Sequence, residues 1–189
     1  MALTTIDPKT ALVVIDLQKG LRAIPAAHPI DEIVQRSASL AAAFRRHGLP
    51  VALVNVAGAA PGRTEAGSSL PAGYTPPADW TEIVEELQPQ PDDYRVTKMR
   101  AGAFHGTSLD AHLRDRGVTQ VVLAGVATSM GVESTVRAAH EHGYHVVLAI
   151  DAMTDRDADA HHNSIKRIFP RLGETATTTE ILDMLEKTR

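Results

Sequence analysis

The sequence predicts a three-layer α/β/α domain built on a mostly parallel sheet of about six strands. Three observations carry that expectation. Short runs of β-branched and apolar residues recur along the chain, most of these runs are apolar at every position, and a longer stretch of helical periodicity follows nearly every one. Strands that are apolar on both faces belong in a parallel sheet covered by helices, and right-handed crossovers place those helices in two outer layers. In chain order, residues 11–16 (ALVVID), 50–56 (PVALVNV), 94–98 (YRVTK), 120–125 (QVVLAG) and 145–150 (HVVLAI) read as strands. A sixth, residues 174–178, is rich in threonine and suits a sheet edge.

The helices follow from the intervening segments. Residues 31–47 put Ile33, Val34, Leu40, Ala41 and Phe44 on one face before Gly48 and Pro50 stop the helix. Residues 108–116, with Leu109 and Leu113 four apart, and residues 129–142 repeat the pattern, closed by Gly117 and Gly143. Residues 157–169 and 179–187 complete the set. Residues 57–77, dense in Gly, Pro and Ser, read as one long loop of the kind that serves as a lid or an interface arm. With no composition break elsewhere, a single domain is expected over residues 1–189, its core at about residues 10–185.

Composition narrows the partners. Hydrophobic residues at 43% and charged residues at 22% are those of a globular chain, which sets disorder aside. A net charge of −4 lacks the basic footprint that nucleic acid or an anionic membrane requires, so a small molecule is the expected partner. The chain has no cysteine, which removes disulfides, thiolate metal sites and a thiol nucleophile together. Its first apolar run, residues 11–15, is too short for a signal peptide's hydrophobic region or a membrane span, and a cytoplasmic protein is expected.

In a doubly wound sheet, chemistry gathers at the carboxyl ends of the strands. Those ends supply Asp16, Asn55, Lys98, the turn from Gly125 to Gly131, and Asp151. A carboxylate that closes an apolar strand is desolvated and rises in pKa, and a nearby ammonium pulls it back. Asp16 and Lys98 are therefore candidates for a proton-transferring pair working near neutral pH; the other reading makes Asp16 a loop cap and Lys98 a surface residue. Gln18, Arg22, Arg100, Phe104, His105 and Ser129 are placed around the pocket. Gln18 would hold a water or a ligand amide, or else make a loop hydrogen bond. Arg100 would take a substrate carboxylate in bidentate fashion, or else form a buried ion pair. Phe104 belongs to the core or the pocket wall. Ser129 reads as a helix N-cap, with Met130 and Gly131 beginning the helix. His140, His142, His145, His161 and His162 read as solvated or capping, and Asp151, Asp155, Asp157 and Asp159 as a solvated loop and helix start. With the histidines read as solvated or capping and no cysteine present, neither metal nor cofactor is expected.

Four segments, DLQKG at Asp16, TKMRAGAFHGTSLDAHLRDRGV at Thr97, GVATSMGVESTVRAAHEHGYHV at Gly125 and DAMTD at Asp151, together resemble the isochorismatase-like hydrolases. The resemblance runs from about residue 10 to 185. That group embraces cysteine amidases, such as nicotinamidases and carbamoyl amidohydrolases, and also the true isochorismatases. In its cysteine-dependent members the pattern is Asp, Lys, Cys; the resemblance assigns the first two to Asp16 and Lys98 and puts Gly131 at the position of the Cys. True isochorismatases are similar in carrying Gly there and cleave a vinyl ether without a covalent intermediate, their Asp acting as general acid. They share a turn of the type GVYAHVG, however, whereas GVATSMG followed by VEST is the wording of the amidase-like majority.

The resemblance thus implies hydrolysis of a small metabolite without a thiol intermediate, by Asp16 and Lys98. Amidase-type C–N hydrolysis by activated water, a ligand-binding protein without turnover, and a scaffold built on the 57–77 loop are the alternatives. It further implies a cis peptide between Val126 and Ala127, whose turn would aim N–H groups at a substrate oxyanion. Val126, Ala127, Ser129 and Met130 then join Gln18, Arg100 and Phe104 as expected substrate contacts. A homo-oligomer is expected.

Overall fold

The computed structural model describes residues 3–65 and 75–188. They form six strands, β1 (Thr10–Ile15), β2 (Val51–Val56), β3 (Tyr94–Lys98), β4 (Gln120–Val126), β5 (His145–Thr154) and β6 (Glu174–Ala176). Their order in the sheet is β3-β2-β1-β4-β5-β6, and every neighbouring pair is parallel. Strand order reverses between β1 and β4, so the crevice for a ligand lies outside the carboxyl ends of these two strands. Both are buried along their whole length, as their unbroken apolar runs require.

Alternate side chains of β1 feed two separate cores, since successive residues of a strand point to opposite faces. Leu12 and Val14 join Ile33, Leu40 and Phe44 of α2 (Ile30–Arg46) and Ile181 and Leu185 of α6 (Thr178–Lys187). Ala11, Val13 and Ile15 join Leu109 and Leu113 of α3 (Leu109–Asp115) and Val136 of α4 (Glu133–Glu141). Each fully buried Leu, Ile, Val or Phe side chain contributes about 1.5–3 kcal/mol, so the sheet is secured from both faces. Where β1 meets β4, Gly125 has φ +117°, and a Cβ there would lie 2.0 Å from the Ile15 carbonyl oxygen. Only glycine allows the strands to approach so closely.

Several boundaries differ from the sequence expectation, each for a local reason. β5 runs four residues past 150, to Thr154, because its pairing with β4 shifts: Leu123 lies opposite Leu148, but Gly125 lies opposite Met153. Asp151 is therefore inside the strand rather than after it, and its Oδ1 accepts hydrogen bonds from Thr178 N (2.7 Å) and Thr178 Oγ1 (2.9 Å) at the start of α6. β6 ends at Ala176 because Thr177 caps α6 in a reciprocal capping box with Glu180. The helix expected from Ser129 opens instead with a π-helical turn, Thr128–Val132, and its N-cap position is Ala127. The segment expected as one helix from 157 divides into α5 (Ala158–Asn163), a π-helical turn Ser164–Ile168 and a 3₁₀ turn Phe169–Arg171 containing Pro170. Asp157 caps α5, accepting from Asp159 N and Ala160 N. Two short elements, α1 (Lys19–Arg22) and a 3₁₀ turn Glu85–Leu87, carry too few residues to show periodicity. Of the expected 57–77 loop, residues 57–65 and 75–77 form neither helix nor strand, and residues 66–74 lie outside the described residues.

Candidate active site

Asp16 leaves β1 in the left-handed region, φ 55°, and its N–H donates to the Val54 carbonyl (2.8 Å). Its Oδ2 accepts a hydrogen bond from Lys98 Nζ at 2.7 Å. Lys98 closes β3, and β2 lies between β3 and β1, so the long lysine stem crosses the end of β2 to reach the carboxylate. Nζ also donates to the Arg100 carbonyl (3.2 Å). The pair is buried, with Lys98 1% and Asp16 5% exposed. Burial pushes the Asp16 carboxyl up to about 6 against the opposing pull of the Lys98 ammonium. Asp16 Oδ1, also buried, has no hydrogen-bond partner among the described residues. A carboxyl group tied down by one oxygen and unengaged at the other is arranged to exchange a proton through the second.

Gly131 faces this carboxylate. A Cβ built on it would lie 3.2 Å from Asp16 Oδ2, 3.2 Å from Ile15 Cγ2 and 3.1 Å from the Val126 carbonyl oxygen. The Val126–Ala127 peptide is cis, as the motif resemblance implies. The turn after it is held from several sides. Ala127 O accepts from Met130 N (3.0 Å) and Val132 N (3.1 Å), and Gly131 O accepts from Thr135 Oγ1 (2.7 Å). Ser129 N donates to Asp155 Oδ2 (2.7 Å), and Thr128 Oγ1 lies 2.8 Å from His161 Nδ1. Burial, followed by the nearby His28, lowers the His161 pKa.

The structure thus brings Asp16, Lys98 and Gly131 together, with Val126, Ala127, Ser129 and Met130 on the adjoining turn. Met130 is 60% exposed. Other expected contacts are engaged elsewhere. The Gln18 amide is used up by the backbone, Nε2 donating to Val56 O (3.1 Å) and Trp80 O (3.0 Å) while Oε1 accepts from Val56 N (2.7 Å). Arg100 Nη1 donates to the carbonyls of Met99 (2.8 Å) and Ala59 (3.2 Å), which makes it a loop clasp rather than half of a buried ion pair. Phe104 is core, beside the rings of His142 and Tyr144, and His105 is exposed. Arg22 pairs with Asp31 and Glu86. Asp155 and His161, read from sequence as solvated, are buried and hold the turn. The signal for Asp155 was its place after a strand, hidden by an early boundary for β5. Among the described residues no three His, Asp or Glu side chains gather as a metal would require.

A family model described as the Isochorismatase domain matches residues 10–180. The chain belongs to the isochorismatase family. YwoC of Bacillus subtilis (strain 168), an uncharacterized isochorismatase family protein, is 42% identical over 185 residues, which cover 94% of this chain and 95% of YwoC. A probable isochorismatase of Pseudomonas chlororaphis is 31% identical over 191 residues, covering 96% of this chain and 89% of that one. The structure of an isochorismatase family protein from Burkholderia thailandensis superposes with a TM-score of 0.85 at 40% identity, covering 96% of this chain and 98% of the other. The six-stranded parallel α/β architecture is accordingly that of the isochorismatase-like hydrolases.

Proposed function

We propose that this isochorismatase-family protein hydrolyses a small metabolite without a covalent thiol intermediate, using Asp16 as general acid and base, and that the bond it breaks is a vinyl ether. The observation that carries the reading is the buried Asp16–Lys98 pair facing Gly131 in a chain that has no cysteine. The residue that resemblance puts at the nucleophile's position has no side chain, so the carboxyl group is left to do the chemistry. Thr128 Oγ1 on the turn and Thr135 Oγ1 in α4 are engaged with His161 and with Gly131 O.

A carboxyl group with a pKa of about 6 is available in both protonation states near neutral pH, which is what a proton donor that must be reloaded needs. In the proposed reaction protonated Asp16 gives its proton to the terminal carbon of an enolpyruvyl ether, and the ether carbon becomes an oxocarbenium ion. Lys98, 2.7 Å from the carboxylate so formed, stabilises it. Water adds to the cation and returns a proton to Asp16. The resulting hemiketal separates into pyruvate and an alcohol, consuming one water overall. The test is pyruvate release from isochorismate by the wild type and by Asp16→Asn, with a loss of at least about 100-fold expected in the variant. Absence of release from the wild type would sink the vinyl ether reading. The direction of the pH limb separates it from amide hydrolysis. Proton donation by Asp16 fails as pH rises above about 6, whereas activation of water by the carboxylate fails as pH falls below it.

A further inference from the structure

Against the Val126–Ala127 turn lies a cavity of about 280 Å³. Leu21, Ile24 and Ile30 form one apolar wall, and Val126, Ala127 and Met130 form the other. The polar residues at its rim are Thr154, Asp155 and Arg156, and two of these are already occupied. Thr154 Oγ1 accepts from His28 N (3.1 Å) and lies 3.0 Å from His28 Nδ1. Asp155 accepts from Ser129 N through Oδ2 and from Arg156 N through Oδ1, both at 2.7 Å. Arg156 is exposed, and its guanidinium pairs with no carboxylate among the described residues. The cavity therefore offers apolar walls and one uncommitted positive charge.

We infer that this cavity is a specificity pocket in which the apolar body of a small carboxylic acid is enclosed while Arg156 holds its carboxylate. At the roughly 30 Å³ that a water molecule occupies in the liquid, the space suits about nine non-hydrogen atoms, the size of a single substituted ring. A planar guanidinium matches a carboxylate with two parallel hydrogen bonds, which a neutral group of the same shape does not accept. Met130, an apolar side chain 60% exposed at the cavity, gains contact when such a body lies beside it. The same turn carries Gly131 opposite Asp16, and Val126 contributes both to the cavity and, through its carbonyl, to the surroundings of Gly131. Under this proposal the remaining part of a substrate anchored here extends along the turn toward the carboxyl pair. The pocket names the substrate class for the proposed hydrolysis and rests on that reading for its link to the reaction.

The test is calorimetric titration of the full chain with benzoate and with benzyl alcohol, which share a ring and differ in charge. Benzoate is expected to bind about tenfold or more tightly than the alcohol. Arg156→Gln is expected to abolish that preference and leave the alcohol unchanged. Ala26→Trp, at an exposed position lining the cavity, is expected to remove both. Asp16→Asn is expected to keep benzoate affinity within about twofold. Because titration reads binding and not turnover, the pocket and the vinyl ether chemistry stand or fall separately. Equal binding of the two probes, no binding of benzoate, a preference that survives Arg156→Gln, binding that persists in Ala26→Trp, or binding lost in Asp16→Asn would each overturn the pocket.

Discussion

Asp16 is held between two opposing influences, and their balance fixes how the site responds to pH. Burial raises its pKa from 3.8 to about 6 while Lys98 pulls it down. Replacing Lys98 by Met removes the opposing charge. In the proposed reaction Asp16 as proton donor sets the alkaline limb of kcat/KM, which is then expected to move up by at least about one pH unit, as a pH–rate profile of Lys98→Met would read. The same shift acts on stability. The folded state binds the Asp16 proton more tightly than the unfolded chain, so this contribution is fully present below about pH 3.8 and is lost as pH rises through about 6. Urea melts should show the stability of the wild type relative to Asp16→Asn falling by about 2 kcal/mol between pH 4 and pH 7. A difference that is flat or rising over that window would contradict the raised pKa. At Gly125, where a Cβ would meet the Ile15 carbonyl oxygen at 2.0 Å, Gly125→Ala is expected to cost more than about 4 kcal/mol, read as loss of soluble folded protein.

Two aspartates, one within β5 and one just past its end, perform similar local work with different consequences. Asp151 caps α6 through Thr178, and Asp155 holds the Ser129 N–H of the turn that carries Gly131. Asp151→Ala and Asp155→Ala are each expected to lower stability by about 1–2 kcal/mol in denaturant melts. Only Asp155→Ala is expected to impair turnover as well, by tenfold or more, because only that carboxylate positions the site. Equal activity of the two variants would deny Asp155 that part. These two residues also mark how far the sequence was legible. Asp16 and Lys98 could be picked out because each ends a strand whose neighbours along the chain announce it. Gln18, Ser129 and Asp155 could not be assigned, since their partners, Val56 and Trp80 for Gln18 and each other for the latter two, come from distant segments. His161 looked like one of a solvated pair for the same reason; its burial depends on Thr128, 33 residues away. The strands and long helices were readable because periodicity is local, whereas the π-helical turns and the shifted pairing of β5 arise only from packing.

At the scale of the molecule, one sheet lies between two apolar cores and feeds both from alternate residues of the same strands. Neither core exists without the sheet, so heating is expected to give one transition with matching calorimetric and van't Hoff enthalpies. Two separated transitions would show that the layers unfold independently. The shifted ladder between β4 and β5 has an effect of its own. From Leu123 to Gly125 the chain takes two steps, while from Leu148 to Met153 opposite it takes five, and the surplus carries Asp151 to α6 before Asp155 arrives at the turn that carries Gly131. That stretch works as a ruler: its residue count, more than its composition, sets where the two carboxylates arrive. Ala149, Ile150 and Ala152 should accept exchanges of similar size, whereas a single insertion or deletion in this stretch should be rejected, since it would leave one of the two aspartates out of step with its target.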